Sequence, residues 1–208
     1  MTRNIHGLYA VTPDGLEDAD LVARVDAALL GGATVVQYRN KRATPEARDR
    51  QARALISVCR RHAAPLIIND HLELAAAVGA DGVHLGSEDG AIAEARAVLG
   101  PHAIIGASCY NRIDNARNAQ QSGASYVAFG SYFPSGTKPE AARASLDLLR
   151  EAKRMLSLPI VAIGGITRDN AKPLLAAGAD SIAVISALFD AADVRAAAAQ
   201  LAQLFFEQ

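Results

Sequence analysis

Four copies of one short pattern limit what this chain can fold into. "GGATVV" at 31, "GADGVHL" at 79, "GASYVAF" at 123 and "GADSIAV" at 178 each set a Gly-Ala pair between an amphipathic run and an apolar, β-branched one. The glycine is expected at a helix C-cap, in the left-handed conformation that a residue without Cβ adopts freely. The pairs begin at 32, 79, 123 and 178, so the gaps are 47, 44 and 55 residues. Such a gap holds two strand-helix units, which makes the four copies strands two, four, six and eight. The strands are expected at Gly7–Val11, Thr34–Arg39, Pro65–Asn69, Gly82–Leu85, Ala103–Ala107, Tyr126–Phe129, Pro159–Ile163 and Ser181–Ile185. Between them lie helical runs such as "PEARDRQARALISVCRRH" and "SLDLLREAKRML". Most of the strands are apolar nearly throughout, as parallel strands covered on both faces must be. The expectation is a single (β/α)8 TIM barrel over 1–208. An open doubly wound sheet is the alternative, but the first turn, "TPDGLED", lacks its glycine-rich nucleotide fingerprint.

Composition narrows the function classes. A chain of 208 residues, half hydrophobic, can bury a sizeable core. Its net charge of −1 gives no basic surface for nucleic acid or anionic lipid. No apolar run reaches the length of a membrane span, and "MTRNIHGLYAV" is not a signal peptide. Cys59 and Cys109 form no CxxC pair, so free thiols in a cytoplasmic protein are expected. A homo-oligomer is compatible with the sequence.

Barrel enzymes work at the C-terminal ends of their strands. Strand two ends "VVQYRNK". Period two turns Gln37 and Arg39 into the barrel mouth, with Lys41 just beyond, while Val36 and Tyr38 face the helices. Strand three ends on Asn69 and Asp70; Asp70 equally suits a helix cap, with Glu73 closing a capping box. Strand four carries His84, expected as a hydrogen-bonded interior histidine, and is followed by Asp89, which again suits a cap. Two carboxylates facing one mouth fit Mg²⁺, which takes oxygen ligands and fills its shell with substrate phosphates. Neither HxxxH nor HExxH is present, so zinc is not expected. Ser108 closes strand five, either as a site hydroxyl or at a helix start, and no GxSxG elbow surrounds it. Cys109 is expected as a packed thiol.

Strand six opens into "GSYFPSGTKPE", too long for an ordinary connection, where Ser135, Gly136, Thr137 and Lys138 offer hydroxyls, backbone N–H groups and one cation. Strand seven ends on Gly164 and Gly165, and strand eight on Ile185 and Ser186, where this fold commonly binds a phosphate through backbone. Two anion sites result: one of backbone, and one cationic, with Arg39, Lys41 and Lys138 facing Asp70 and Asp89. A monophosphate and a diphosphate in one mouth imply transfer between two phosphorylated molecules.

"QYRNK", "IIND", "HLGSED", "FPSGTK", "AIGGI" and "VIS" occur in this order from strand one's neighbour to strand eight. Together they resemble the thiamine-phosphate synthase (thiamine-phosphate pyrophosphorylase) family. The resemblance implies a transferase of thiamine biosynthesis that joins hydroxymethylpyrimidine diphosphate to hydroxyethylthiazole phosphate and releases diphosphate. It implies that Gln37, Tyr38, Arg39, Asn40, Lys41, Asn69, Ser108 and Lys138 hold the pyrimidine diphosphate. Ser135, Gly136, Thr137, Gly165, Ile185 and Ser186 would hold the thiazole phosphate, and Asp70 and Asp89 a Mg²⁺ ion. Arg39, Lys41, Ser108 and Lys138 would carry catalysis, with the loop at 135–138 closing over both ligands. The chain departs from the family pattern at Ser87, where Gln is common, at Ser135, where Thr is, and at Cys109-Tyr110, where Thr-His is. The last departure disfavours the alternative of a thiazole tautomerase, which resembles this family along the barrel but uses a histidine near that place. A non-catalytic barrel that binds thiamine precursors is the other alternative.

Overall fold

The computed structural model describes residues 5–86, 89–134 and 143–207, with the side chains of all but 89–91. Strands β1 (Gly7–Val11), β2 (Ala33–Tyr38), β3 (Leu66–Asn69), β4 (Gly82–Leu85), β5 (Ile104–Tyr110), β6 (Tyr126–Phe129), β7 (Ile160–Ile163) and β8 (Ser181–Val184) pair in chain order. Every ladder is parallel, and β8 pairs with β1 to close the barrel. The expected (β/α)8 barrel is therefore the observed one. At the seam Gly7, Leu8, Tyr9 and Ala10 face Ser181, Ile182, Ala183 and Val184, and the Ser181 hydroxyl donates to the Gly7 carbonyl at 2.8 Å.

Helices alternate with the strands: α1 (Asp18–Leu30), α2 (Pro45–Arg61), α3 (Leu72–Val78), α4 (Asp89–Leu99), α5 (Ile113–Gln121), α6 (Leu146–Met155), α7 (Lys172–Ala176), α8 (Ser186–Phe189) and α9 (Val194–Gln203). Their starts are written locally. Thr44 caps α2, its hydroxyl accepting from the Ala47 N–H, and Pro45 takes the first turn, where its missing donor costs nothing. Ser145 caps α6 in the same way through the Leu148 N–H. Among the described residues, no helix is long and apolar enough to cross a membrane.

The Gly-Ala repeat needs one refinement. Gly79 is the C-cap of α3, in the left-handed conformation at φ 65°. Gly32, Gly123 and Gly178 also have positive φ, but stand one residue beyond the caps Gly31, Ser122 and Ala177. All four reverse the chain into the next strand.

Two cores result. Alternate strand residues such as Val36, Ile68, Val83, Val127 and Val184 pack outward against the helices. The other set, including Tyr9, Val35, Ile67, Ile104, Tyr126 and Val161, fills the barrel. β5 runs three residues past the expected end because its pairing with β6 is bulged between Ser108 and Tyr110.

Candidate active site

The exit of β2 is held by the loop after β1. The Thr12 hydroxyl donates to the Arg39 carbonyl at 2.9 Å and accepts from the Arg39 N–H at 2.8 Å. One Asp14 oxygen then accepts from the Arg39 guanidinium at 3.0 Å, and the other from the Lys41 N–H at 2.7 Å. A single carboxylate thus fixes both a cation and the backbone two residues on. The Arg39 side chain is only 12% exposed, so this pair is shielded from water, whereas Lys41 is half exposed. Lys41 Nζ lies 3.1 Å from the carboxylate of Asp70, across the rim on β3's exit.

Asp70 is not a helix cap. The N-cap of α3 is His71, and Asp70 itself sits at φ 62°, a left-handed conformation rare outside glycine. Its N–H donates to the His84 carbonyl at 2.9 Å, which leaves the carboxylate on the rim beside Lys41. Non-glycine residues held in such backbone conformations cluster at functional sites. Arg48 of α2 donates to the His71 ring at 2.7 Å, and burial, with Arg48 second, lowers the pKa of that imidazole.

Inside the barrel a file of polar groups crosses from β2 to β5. Gln37 Nε2 donates to the Tyr9 hydroxyl at 2.9 Å. The Tyr9 and Tyr126 hydroxyls are 2.7 Å apart. Tyr126 reaches His84 Nδ1 at 2.8 Å, and His84 Nε2 reaches the Ser108 hydroxyl at 2.8 Å. Gln37 thereby finds the partner that an inward polar group requires. His84 is a hydrogen-bonded interior histidine, as expected, and its ring stacks on Tyr126 at 5.5 Å. Burial pushes the Tyr9 and Tyr126 phenols well above their ordinary pKa, so both remain protonated. Ser108 lies within β5, not at a helix start, and is half-buried where the file meets the mouth. Cys109 points the other way into the packing; burial pushes its thiol up to about 12, and that of Cys59 likewise.

Tyr38 and Asn40 are not brought to the mouth by their side chains. The Tyr38 hydroxyl donates to Gln51 Oε1 on α2 at 2.7 Å, and Asn40 Nδ2 donates to the same oxygen at 3.1 Å. Both are buried, and Asn40 Oδ1 is left without a hydrogen-bond partner.

The β7 and β8 side is built of backbone. Gly164 and Gly165 have φ of 107° and 62°. A Cβ on Gly164 would stand 2.1 Å from the Ser131 hydroxyl, and one on Gly165 2.3 Å from the Pro134 carbonyl. The glycines admit this chain's own segment after β6, which the Phe133 N–H ties to the Gly164 carbonyl at 2.9 Å. Ile185 is the N-cap of α8, a short helix that starts at Ser186 directly after β8. That extra helix is where TIM barrels commonly place a phosphate. A cavity of about 320 Å³ joins this side to the charged one, lined by Pro13, Asp14, Arg39, Arg42, Ile185, Ser186 and Asp190.

Ser87, Ser135, Gly136, Thr137 and Lys138 lie outside the described residues, as does the side chain of Asp89, the first residue of α4. Among the described residues no three His, Cys, Asp or Glu side chains gather into a metal cluster. Asp70 offers the hard oxygen donor that Mg²⁺ takes, and that ion needs only one or two carboxylates beside substrate phosphates.

The family model for thiamine monophosphate synthase matches residues 8–188, from the first strand into the short helix α8. The chain belongs to that family. A thiamine-phosphate synthase of Thiobacillus denitrificans is 57% identical over 199 residues, covering 96% of this chain and 94% of that protein. One of Methylobacillus flagellatus is 57% identical over 209 residues, covering 99% and 100%. Among solved structures, a thiamine phosphate pyrophosphorylase from Pyrococcus furiosus superposes with a TM-score of 0.87 at 38% identity, covering 98% of this chain and 97% of that one. As a thiamine monophosphate synthase family member the chain is a transferase of thiamine biosynthesis.

Three features of this family member escaped the motif reading. Asp14 sits in a Pro-Asp-Gly turn, where an aspartate reads as a turn former, and its partner lies 25 residues away. Tyr9 and Tyr126 read as ordinary strand aromatics. Gly106 carries no turn signal, yet a Cβ there would stand 2.1 Å from the Tyr126 ring and 2.3 Å from its oxygen. A glycine inside a strand pattern is the one sign that another group approaches closely.

Proposed function

We propose that this mouth joins hydroxymethylpyrimidine diphosphate to hydroxyethylthiazole phosphate, the whole chain acting as one cytoplasmic barrel domain with the thiamine-phosphate synthase activity of its family. The observation that carries the reading is the shared cavity. Arg39, expected on the diphosphate, lines the same hollow as Ile185 and Ser186, expected on the thiazole phosphate. Two phosphorylated molecules held there stand side by side, which is the positioning a two-substrate transfer requires.

In this reading the bond between the pyrimidine's methylene carbon and the diphosphate oxygen breaks, and diphosphate leaves with the electron pair. The thiazole ring nitrogen supplies its lone pair to that carbon, so no proton has to be removed. Arg39 and Lys41 offset charge growing on the departing oxygens, in a geometry that Asp14 and Asp70 set beforehand. Lys138 would supply a third cation, and Ser135 to Thr137, with Gly165 and Ser186, would bind the thiazole phosphate. Asn69 and Ser108 hold the pyrimidine. Asp70 and Asp89 would hold Mg²⁺, which when bound adds positive charge opposite the diphosphate oxygens.

The test is to mix both phosphorylated precursors with the protein and Mg²⁺ and to measure thiamine phosphate and diphosphate. Equimolar products that vanish on chelation are expected. Isomerised thiazole without thiamine phosphate would establish the tautomerase alternative instead, and tight binding without turnover the non-catalytic one.

A further inference from the structure

The interior file of hydrogen bonds has a direction. With Gln37 Nε2 as the donor to Tyr9, the Tyr9 proton is directed to the Tyr126 oxygen 2.7 Å away. Tyr126 then has its own proton left for His84 Nδ1. In that order a neutral His84 carries its hydrogen on Nε2, 2.8 Å from the Ser108 oxygen. In this proton order Ser108 receives a hydrogen bond from beneath, and its own O–H is left to point away from the core. Tyr9 is 1% exposed, Tyr126 0% and His84 8%, so water has little access with which to rearrange the order. The space is reserved too: Gly106, directly below Ser108 on the inner face of β5, leaves room for the tip of the Tyr126 ring.

We propose that Tyr126 and His84 are positioning residues that fix Ser108 as a hydrogen-bond donor into the mouth, where it selects an acceptor atom on the pyrimidine substrate. The inference deepens the proposed function and rests on it for the identity of that ligand. A serine hydroxyl alone donates or accepts by rotating; one occupied from below by His84 Nε2–H is biased toward donating. The pyrimidine's ring nitrogens are acceptors and its amino group is a donor, so a fixed donor distinguishes one edge of the ring from the other.

Two measurements on the full chain test it. The first is the ¹⁵N shifts of His84 in the free protein near pH 7.5, with no substrate present. The Nε2–H tautomer is expected, losing its uniqueness in Tyr126→Phe; an Nδ1–H tautomer in the unsubstituted protein reverses the file and overturns the proposal. The second is steady-state kinetics. Tyr126→Phe is expected to raise KM for the pyrimidine diphosphate about tenfold, the size of one lost hydrogen bond, with KM for the thiazole phosphate unchanged. His84→Leu is expected to do the same. His84→Gln, whose amide can accept from Tyr126 and donate to Ser108, is expected to recover most of the loss, a rescue that a merely space-filling role would not show. Equal changes in both KM values, or none, overturn the positioning role. If Tyr126→Phe does not fold, the two His84 variants decide. A protein that makes no thiamine phosphate at all sinks the functional reading, while the tautomer measurement still judges the file.

Discussion

The two sides of the barrel mouth are made by different means. From the exit of β1 to that of β3 the rim is side chain: Arg39 on Asp14, Lys41 on Asp70. From β6 to β8 it is backbone: Gly164 and Gly165 packed under residues 131–134, and a short helix opening at Ser186. The first side stores charge, with each cation aimed by a carboxylate. The half-exposed Lys41–Asp70 pair contributes little stability and is cheap to rearrange around an arriving phosphate, whereas the shielded Arg39–Asp14 pair is not. The second side stores shape, in φ angles and clearances that only glycine meets. Damage should follow this division: loss of chemistry on one side, loss of structure on the other.

The strongest break in the comparison is Arg39→Ala. Removing a donor that meets developing charge costs on the order of 10² to 10³ in kcat, and steady-state rates with saturating thiazole phosphate would show it. If the rate falls only as far as stability does, Arg39 is structural and the division fails. Gly165→Ala should act the other way. A side chain at φ 62°, 2.3 Å from the Pro134 carbonyl, costs about 2 kcal/mol. Thermal or denaturant unfolding would register this, and an unchanged midpoint would show that the segment after β6 yields freely. The smallest and most discriminating effect is expected from Asp14→Asn. It keeps an acceptor for the Lys41 N–H but removes the charge opposite Arg39. A fivefold to tenfold rise in KM for the diphosphate substrate, about 1 kcal/mol, is expected, together with a loss of unfolding free energy because the shielded Arg39 loses its counter-charge. An equal rise in KM for the thiazole phosphate would place Arg39 between the two ligands rather than on the charged side alone.

Legibility in the sequence followed the same division. The barrel could be read because β-branched runs covered on both faces recur at near-even spacing, and most strands fall within a residue of expectation. β5 did not, since its bulge depends on pairing with β6. On the charged side, period two turned Gln37 and Arg39 inward and Tyr38 outward, as the hydrogen bonds have it. The family motif, taken residue by residue, put Tyr38 and Asn40 among the ligand contacts, and it gave no sign that both side chains also reach Gln51. Asp14 was invisible because its meaning lies in a partner on another strand. On the backbone side the glycines were visible, but the neighbour they make room for was not: it is the chain itself.

The seam between β8 and β1 bears on how such a chain reaches its fold. Thr12 and Arg39 meet across 27 residues, but Ser181 meets Gly7 across 174. Closing the longer loop from an open chain costs about 1.6 kcal/mol more in entropy, and no earlier pairing spares the first strand its wait. Until β8 is synthesised and docked, β1 has one unpaired edge, and so does whichever strand was last to join. A nascent barrel is thus an open sheet with two sticky flanks, the kind of edge that recruits other chains. Its vulnerability to aggregation ends with the last strand, not gradually along the way.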